Sequence, residues 1–156
     1  AKEHKKLYFF GGAKASDGKK AVWELAADAL REKYPAIEID GRDGFFGEEE
    51  TDDIIDGINQ SGAQILFVCL GAPKQERFIY KNRKRFTSVR LAAGLGGTLD
   101  VLAGVADRAP EFYLKHNLEW LYRFSKNPSR VGRIMKLPKF LFGTVLHGNK
   151  PNQTAK

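Results

Sequence analysis

A chain of 156 residues, of which 42% are hydrophobic, has enough apolar material for one domain with a buried core and little for a second. A single cysteine excludes an internal disulfide, and no stretch approaches the roughly 20 apolar residues of a membrane-spanning helix, so the sequence predicts a soluble or peripheral protein. The net charge of +7 comes from the tail: residues 114–156 carry nine Lys or Arg against one acid, whereas residues 1–113 carry 17 basic against 18 acidic residues. Such a tail predicts an anionic partner, such as a membrane surface, a diphosphate or a nucleic acid.

The first half of the chain predicts two strand–helix units. The apolar run at 7–10 ends at Gly11-Gly12 and predicts a buried strand. Apolar positions at helical spacing then predict a helix from about 17 to 34, which ends before Pro35. A second strand is predicted over 37–40, followed by a loop over 41–47 and a second helix over 51–61.

The second half continues the alternation. The run at 64–70 is apolar enough for a strand inside a parallel sheet that is covered on both faces, and it includes Cys69, which we predict to be a small buried core residue. A helix over 74–85, a strand over 89–93 and a short helix over 98–103 follow. The pattern predicts an α/β fold with an open, mainly parallel, Rossmann-like sheet and flanking helices.

The sequence changes character after residue 110. We predict a Rossmann-like nucleotide-binding domain over 1–110, a basic amphipathic helical appendage over 111–146 and a disordered tail over 147–156. Interleaved basic and apolar residues suit a helix pair that lies in a membrane interface. An amphipathic helix that packs on the domain with a solvated basic face is the alternative.

Glycine-bearing loops follow all four predicted strands. Glycine lets backbone N–H groups approach a ligand, and the helix behind each loop offers a partial positive charge to a phosphate. One such loop can be merely a tight turn, but four at one sheet edge favour a nucleotide crevice. The dinucleotide and P-loop motifs are absent, which favours a sugar nucleotide over NAD or ATP. The predicted substrate-binding residues are Gly11, Gly12, Gly44, Phe45, Gly71, Lys74, Gly94, Gly96 and Gly97.

Side chains just behind these loops are candidates for the chemistry. Lys74 can pair with a phosphate, and Gln75 can donate a hydrogen bond to a sugar hydroxyl. Asp100 can bind a hydroxyl or take its proton as a general base, and Glu76 is a second candidate for the base. The alternative is that each of these side chains is an ordinary residue of a helix's first turn and binds no ligand. Acidic residues are stabilised there by the helix dipole.

No metal or other cofactor is predicted. The three histidines have no Cys or His partner at metal-ligand spacing, which argues against zinc. The acidic run at 48–53 opens a predicted helix, where acids are stabilised by the helix dipole.

Several segments, in order between residues 7 and 142, resemble the WecG/TagA/CpsF family of glycosyltransferases. The segments are GAPKQE at 71–76, GLGGTLD at 94–100, AG at 103–104, RAP at 108–110, LEWLYR at 118–123, PSR at 128–130 and Arg133. The resemblance implies an inverting transfer of a sugar, typically N-acetylmannosamine from UDP, to undecaprenyl-diphosphate-linked N-acetylglucosamine. Such steps serve the synthesis of wall teichoic acid and other cell-surface polysaccharides.

The resemblance also implies where the substrates bind. The glycine loops would line the UDP-sugar crevice with Gln75 near the sugar and diphosphate, and the acceptor diphosphate would meet Arg123, Arg130 and Arg133. The protein would be cytoplasmic and peripheral on the inner face of the cell membrane, and family members can self-associate. Family members are usually longer at the N-terminus, where the family's base lies, so this chain resembles the C-terminal portion of such an enzyme.

Two other functions stay open on the sequence alone. The first is a module or fragment that binds a UDP-sugar without catalysis. The second is a nucleic-acid-binding protein, which a pI near 9.5 suggests, but the neutral body argues against a nucleic-acid partner.

Overall fold

The computed structural model describes residues 5–106 and, beyond them, residues 110, 112, 115 and 116. The predicted appendage helices and tail, with Arg123, Arg130 and Arg133, lie outside the described residues. The chain divides into two compact units, Ala1–Asp107 and Arg108–Lys156, and the elements below all belong to the first. Within the described part, no helix is long and apolar enough to cross a bilayer.

Four parallel strands form one sheet in the order β2-β1-β3-β4. The strands are β1 (Leu7–Gly11), β2 (Ile39–Arg42), β3 (Ile65–Cys69) and β4 (Leu91–Gly94). Leu7 pairs with Ile39 on one side and with Ile65 on the other, and Ile65 pairs in turn with Leu91. Because every strand runs the same way, all four carboxyl ends lie at one edge, which confirms the predicted open Rossmann-like sheet.

Helices cover both faces of this sheet. They are α1 (Val22–Lys33), α2 (Thr51–Gln60), α3 (Lys74–Asn82) and α4 (Thr98–Leu102), and a 3₁₀ turn over Glu48–Glu50 precedes α2. The core on one face joins the sheet to α1 and α4, and the core on the other face joins it to α2 and α3. The result is the three-layer α/β arrangement expected for a doubly covered parallel sheet.

Strand β1 shows how the two cores are built. All five of its residues are buried, and successive side chains alternate between the faces, with Phe9 on the α1 side and Phe10 on the α3 side. Phe9 stacks on Phe67 at 5.9 Å between ring centroids, and Phe10 lies 4.9 Å from Phe78. Burial of each such ring stabilises the fold by roughly 1.5–3 kcal/mol.

Some element boundaries differ from those predicted. Helix α1 begins at Val22 and not near residue 17, because Ser16 and Lys19 close a turn in which Asp17 has a φ of 49°. The Ala21 N–H then donates to Glu24 Oε2 at 2.7 Å, which fixes the start of the helix. Strand β2 begins two residues later than predicted, after a turn in which the Ile37 N–H donates to the Tyr34 carbonyl.

Candidate functional site

The topological switch point of the sheet lies between β1 and β3. The chain passes from β1 to β2 on one side and from β3 to β4 on the other, so the connections diverge from these two central strands. In open parallel sheets a crevice forms beyond the carboxyl ends at this point, and ligands bind there. Gly11 and Cys69, which end the two strands, pair in register, so the following loops flank this crevice.

The loops after the first three strands are in direct contact. The Gly44 N–H donates to the Gly12 carbonyl at 3.0 Å, which ties the β2 loop to the β1 loop. A Cβ atom placed on Gly44 would lie 3.0 Å from Leu70 Cδ2 and 3.2 Å from Gly11 Cα. The structure therefore brings together Gly11 and Gly12 of the first loop and Gly44 of the second.

Gln75 joins α3 to the loop after β4. The side chain is only 5% exposed, and its Oε1 accepts a hydrogen bond from the Gly96 N–H at 2.9 Å. Its Nε2 donates to Glu76 Oε1 at 2.8 Å, and a Cβ on Gly94 would lie 2.7 Å from the same Nε2. The amide thus positions both a backbone loop and a carboxylate, and a primary amide can still donate a second N–H.

Lys74 begins α3 immediately after the cis peptide bond between Ala72 and Pro73. Its ammonium nitrogen lies 4.1 Å from the centroid of the Phe46 ring, a cation–π contact. Phe45, the neighbour of Phe46 and a predicted substrate-binding residue, is 63% exposed, and its N–H donates to Asp43 Oδ1 at 2.8 Å. The structure thus places Lys74 against the β2 loop, a contact between two sequence-distant parts of the site.

Asp100 lies in the first turn of α4, half-buried and close to Cys69. Among the described residues its carboxylate has no hydrogen-bond or ion-pair partner, whereas its backbone carbonyl accepts from the Val105 and Ala106 N–H groups at 2.9 Å each. Burial, with a smaller contribution from the Asp100 charge, raises the pKa of the Cys69 thiol from 9.0 to about 11. Cys69 is therefore a buried core residue, as predicted.

We expect the protein to lose stability as the pH rises above about 9. Burial raises the pKa of Cys69 from 9.0 to about 11 and that of Tyr8 from 10.0 to about 12. The unfolded chain loses these protons at a lower pH than the folded chain. The free energy of unfolding therefore falls as the pH rises from the ordinary pKa of each group to its raised pKa. Urea unfolding at a series of alkaline pH values should show this decline, and Tyr8→Phe should make it shallower above pH 10. Identical pH dependence in the two proteins would contradict this assignment.

The acidic run at 48–53 makes contacts within the protein. Glu50 accepts hydrogen bonds from the Gly47 N–H at 2.9 Å and from the Arg42 guanidinium at 3.2 Å, and these contacts lower the pKa of Glu50. Asp52 pairs with Arg85 at 2.7 Å. Within residues 5–106 and the four described beyond them, no three His, Cys, Asp or Glu side chains are grouped so that they could hold a metal ion.

Sequence reasoning missed a groove beside α3. It has a volume of about 660 Å³ and lies between the loop that carries Phe46 and the helix. Cationic side chains at Lys74, Arg77 and Lys81 line it. Their spacing of i, i+3 and i+7 places them on one helix face, and this spacing is the signal that could have revealed the groove.

The parallel sheet, covered by helices on both faces and with contacting glycine loops at its switch point, defines a Rossmann-like α/β domain. The chain belongs to the glycosyl transferase WecG/TagA/CpsF family, whose sequence profile matches residues 1–154. The family resemblance seen in the sequence motifs is thereby confirmed.

Two curated relatives share this similarity. A Bacillus spizizenii protein named N-acetylglucosaminyldiphosphoundecaprenol N-acetyl-beta-D-mannosaminyltransferase is 35% identical over 156 residues, which cover 97% of this chain and 57% of the relative. A Bacillus subtilis protein of the same name is 35% identical over 153 residues, which cover 98% of this chain and 56% of the relative. The chain therefore spans a little over half the length of these relatives.

Proposed function

We propose that this chain carries the donor-binding part of an inverting glycosyltransferase. The enzyme would move N-acetylmannosamine, or a related sugar, from UDP to undecaprenyl-diphosphate-linked N-acetylglucosamine during synthesis of a cell-surface polysaccharide or wall teichoic acid. The observation that carries the proposal is the gathering of the glycine loops at the β1–β3 switch point in a member of this family. The names of the two relatives supply the sugar and the acceptor.

The crevice has the chemistry that a nucleoside diphosphate requires. Backbone N–H groups in glycine loops and at helix starts would donate to the phosphates, with no metal required. Lys74 would add a positive charge, and Asp100, whose carboxylate has no partner among the described residues, would accept a hydrogen bond from a donor hydroxyl. The remaining proposed donor contacts come from Gly11, Gly12, Gly44, Phe45, Gly71, Gly94, Gly96 and Gly97.

Inversion sets two further requirements. A base must remove the proton of the attacking acceptor hydroxyl while UDP leaves from the opposite face of the sugar. The leaving diphosphate must also be stabilised by positive charge as it departs. Within this chain Asp100 and Glu76 are the candidates for the base, and the Gln75 amide orients the Glu76 carboxylate through the 2.8 Å hydrogen bond.

The acceptor is a lipid, so the proposal places the protein at a membrane. The basic appendage over 111–146 would bind anionic lipid on the cytoplasmic face, with its apolar side chains in the interface. The acceptor diphosphate would contact Arg123, Arg130 and Arg133, because a planar guanidinium can donate two hydrogen bonds to phosphate oxygens. Apolar side chains of the appendage would also favour self-association.

Calorimetric titration with UDP and UDP-N-acetylmannosamine tests the donor assignment. We expect both ligands to bind, and Asp100→Ala to weaken binding of the sugar nucleotide by about tenfold, because a charged hydrogen bond is lost. Asp56→Ala is the matched control, since Asp56 is an exposed carboxylate on α2. Absence of UDP binding, or equal loss in the two variants, would contradict the assignment. Release of UDP in the presence of the lipid-linked acceptor distinguishes a transferase from a binding module.

A further inference from the structure

The loop between β1 and α1 contains a tight turn that the rest of the described chain does not cover. Residues 13–20 are all exposed, and two backbone hydrogen bonds between Ser16 and Lys19, at 3.3 Å and 2.8 Å, close the turn. Asp17 and Gly18, at its centre, both have a positive φ, 49° and 74°. Asp-Gly pairs suit such two-residue turns, because aspartate tolerates this conformation and glycine adopts it freely.

The peptide unit between Asp17 and Gly18 is open to reaction. Among the described residues, the Gly18 N–H and the Asp17 carboxylate have no hydrogen-bond partner, and Asp17 forms no ion pair. A Cβ atom on Gly18 would meet nothing within 4 Å, so the turn has space to change conformation. Because glycine has no side chain, nothing on Gly18 itself hinders the approach of its nitrogen to a neighbouring carboxyl group.

We propose that Asp17-Gly18 is a site of spontaneous isoaspartate formation. The Gly18 backbone nitrogen attacks Cγ of the protonated Asp17 carboxyl group, and the proton of the nitrogen leaves with the carboxyl hydroxyl as water, which closes a succinimide ring. Water then adds to the ring. Cleavage of the bond from the nitrogen to Cγ restores aspartate, whereas cleavage of its bond to the Asp17 backbone carbonyl carbon leaves a main chain that runs through Cβ and Cγ. The sequence of steps needs no reactant other than water.

The chain has three further Asp-Gly pairs, and the fold restrains each of them. They are Asp40-Gly41, Asp43-Gly44 and Asp56-Gly57. Gly41 lies within β2, and a Cβ there would approach Trp23 Cε3 at 2.7 Å, so little space is left for rotation. The Gly44 N–H donates to the Gly12 carbonyl at 3.0 Å, and Gly57 lies inside α2, where the helix holds its nitrogen. The fold therefore leaves the pair in the exposed turn the most free to react.

Isomerisation changes the connection that follows β1. The additional main-chain carbon lengthens the segment between Ser16 and Lys19, so we expect their two hydrogen bonds to be lost. The same connection follows Gly12 directly, and it is tied to the start of α1 by the hydrogen bond from the Val22 N–H to the Ala13 carbonyl at 3.0 Å. The modification therefore alters a loop at the carboxyl edge of the sheet.

Prolonged incubation at physiological temperature and mildly acidic pH tests the proposal. Isoaspartate is counted at all four pairs by chymotryptic digestion and mass spectrometry with electron-transfer fragmentation, which distinguishes the two isomers. In the folded chain we expect isoaspartate at residue 17 to exceed that at each other pair by about tenfold or more, because reaction requires local opening, which costs least in exposed loops. In the chain unfolded in guanidinium chloride, all four pairs should react at similar rates.

Two variants test the chemistry at this turn. Asp17→Glu should abolish the modification at residue 17, because attack on the longer side chain closes a larger ring and is slower. Asp17→Asn should accelerate it, with ammonia in place of water as the leaving group. Three results would overturn the proposal: no isoaspartate at residue 17 of the folded chain, equal amounts at its four pairs, or the same preference for residue 17 in the unfolded chain. The readout is chemical and does not depend on UDP binding.

Discussion

Gly11→Ala is expected to lower the free energy of unfolding by about 3 to 5 kcal/mol, as the sum of backbone strain and overpacking. Gly11 has a φ of 144°, which L side chains rarely adopt. A Cβ there would lie 2.7 Å from the Cys69 carbonyl carbon and closer still to its oxygen. The backbone cannot retreat, because β1 is hydrogen-bonded to a strand on each side.

Gly62→Ala is the matched control for this substitution. Gly62 also has a positive φ, 67°, but a Cβ there would meet nothing within 4 Å. The free energy of unfolding of this control should therefore fall only by the cost of the left-handed conformation, about 1–2 kcal/mol. Urea unfolding of the two variants measures the difference. Equal losses would contradict the close approach of β1 and β3 at the crevice.

Gln75→Ala is expected to weaken UDP binding by tenfold or more and to lower the free energy of unfolding by about 1–3 kcal/mol. The substitution removes the acceptor of the Gly96 N–H and leaves space where a buried side chain was. The loop over 95–97, whose backbone is proposed to face the donor, then loses its attachment to α3. Calorimetry for UDP and urea unfolding for stability measure the two effects.

Gln64→Ala separates the two effects of the Gln75 substitution. Gln64 Oε1 also accepts a backbone hydrogen bond, from the Lys6 N–H at 2.8 Å, but at the amino edge of the sheet. We expect this variant to lose stability and to keep its affinity for UDP. If both variants weakened UDP binding equally, the effect would be a general loss of stability and Gln75 would have no special place in the site.

Apolar runs predicted the central strands well. β1 and β3 lie almost where the sequence placed them, because a strand buried on both faces must be apolar throughout. The start of α1 and the position of β2 were misplaced, because a local turn at 16–19 and the Tyr34–Ile37 hydrogen bond determine them. Both contacts are backbone hydrogen bonds within turns, and neither produces a pattern of apolar residues from which it could be predicted.

The glycine loops were predictable for a related reason. Parallel strands bring every strand-to-helix loop to one edge, so alternating strands and helices suffice to gather Gly11, Gly44 and Gly96. The contacts that shape the site were not predictable in this way. The hydrogen bond of Gln75 to the Gly96 N–H and the Lys74–Phe46 contact join residues more than 20 positions apart in the sequence. They depend on how the helices pack on the sheet.

Amide chemical shifts during a titration with UDP locate the donor site most directly. The amides of Gly11, Gly12, Gly44 and Gly96 lie in the loops at the carboxyl edge, whereas those of Gly62 and Ala63 lie at the opposite edge of the sheet. If the switch-point crevice binds the donor, UDP should shift the first group and leave the second unchanged. Shifts confined to Gly62 and Ala63, or no shifts at all, would contradict donor binding in this crevice.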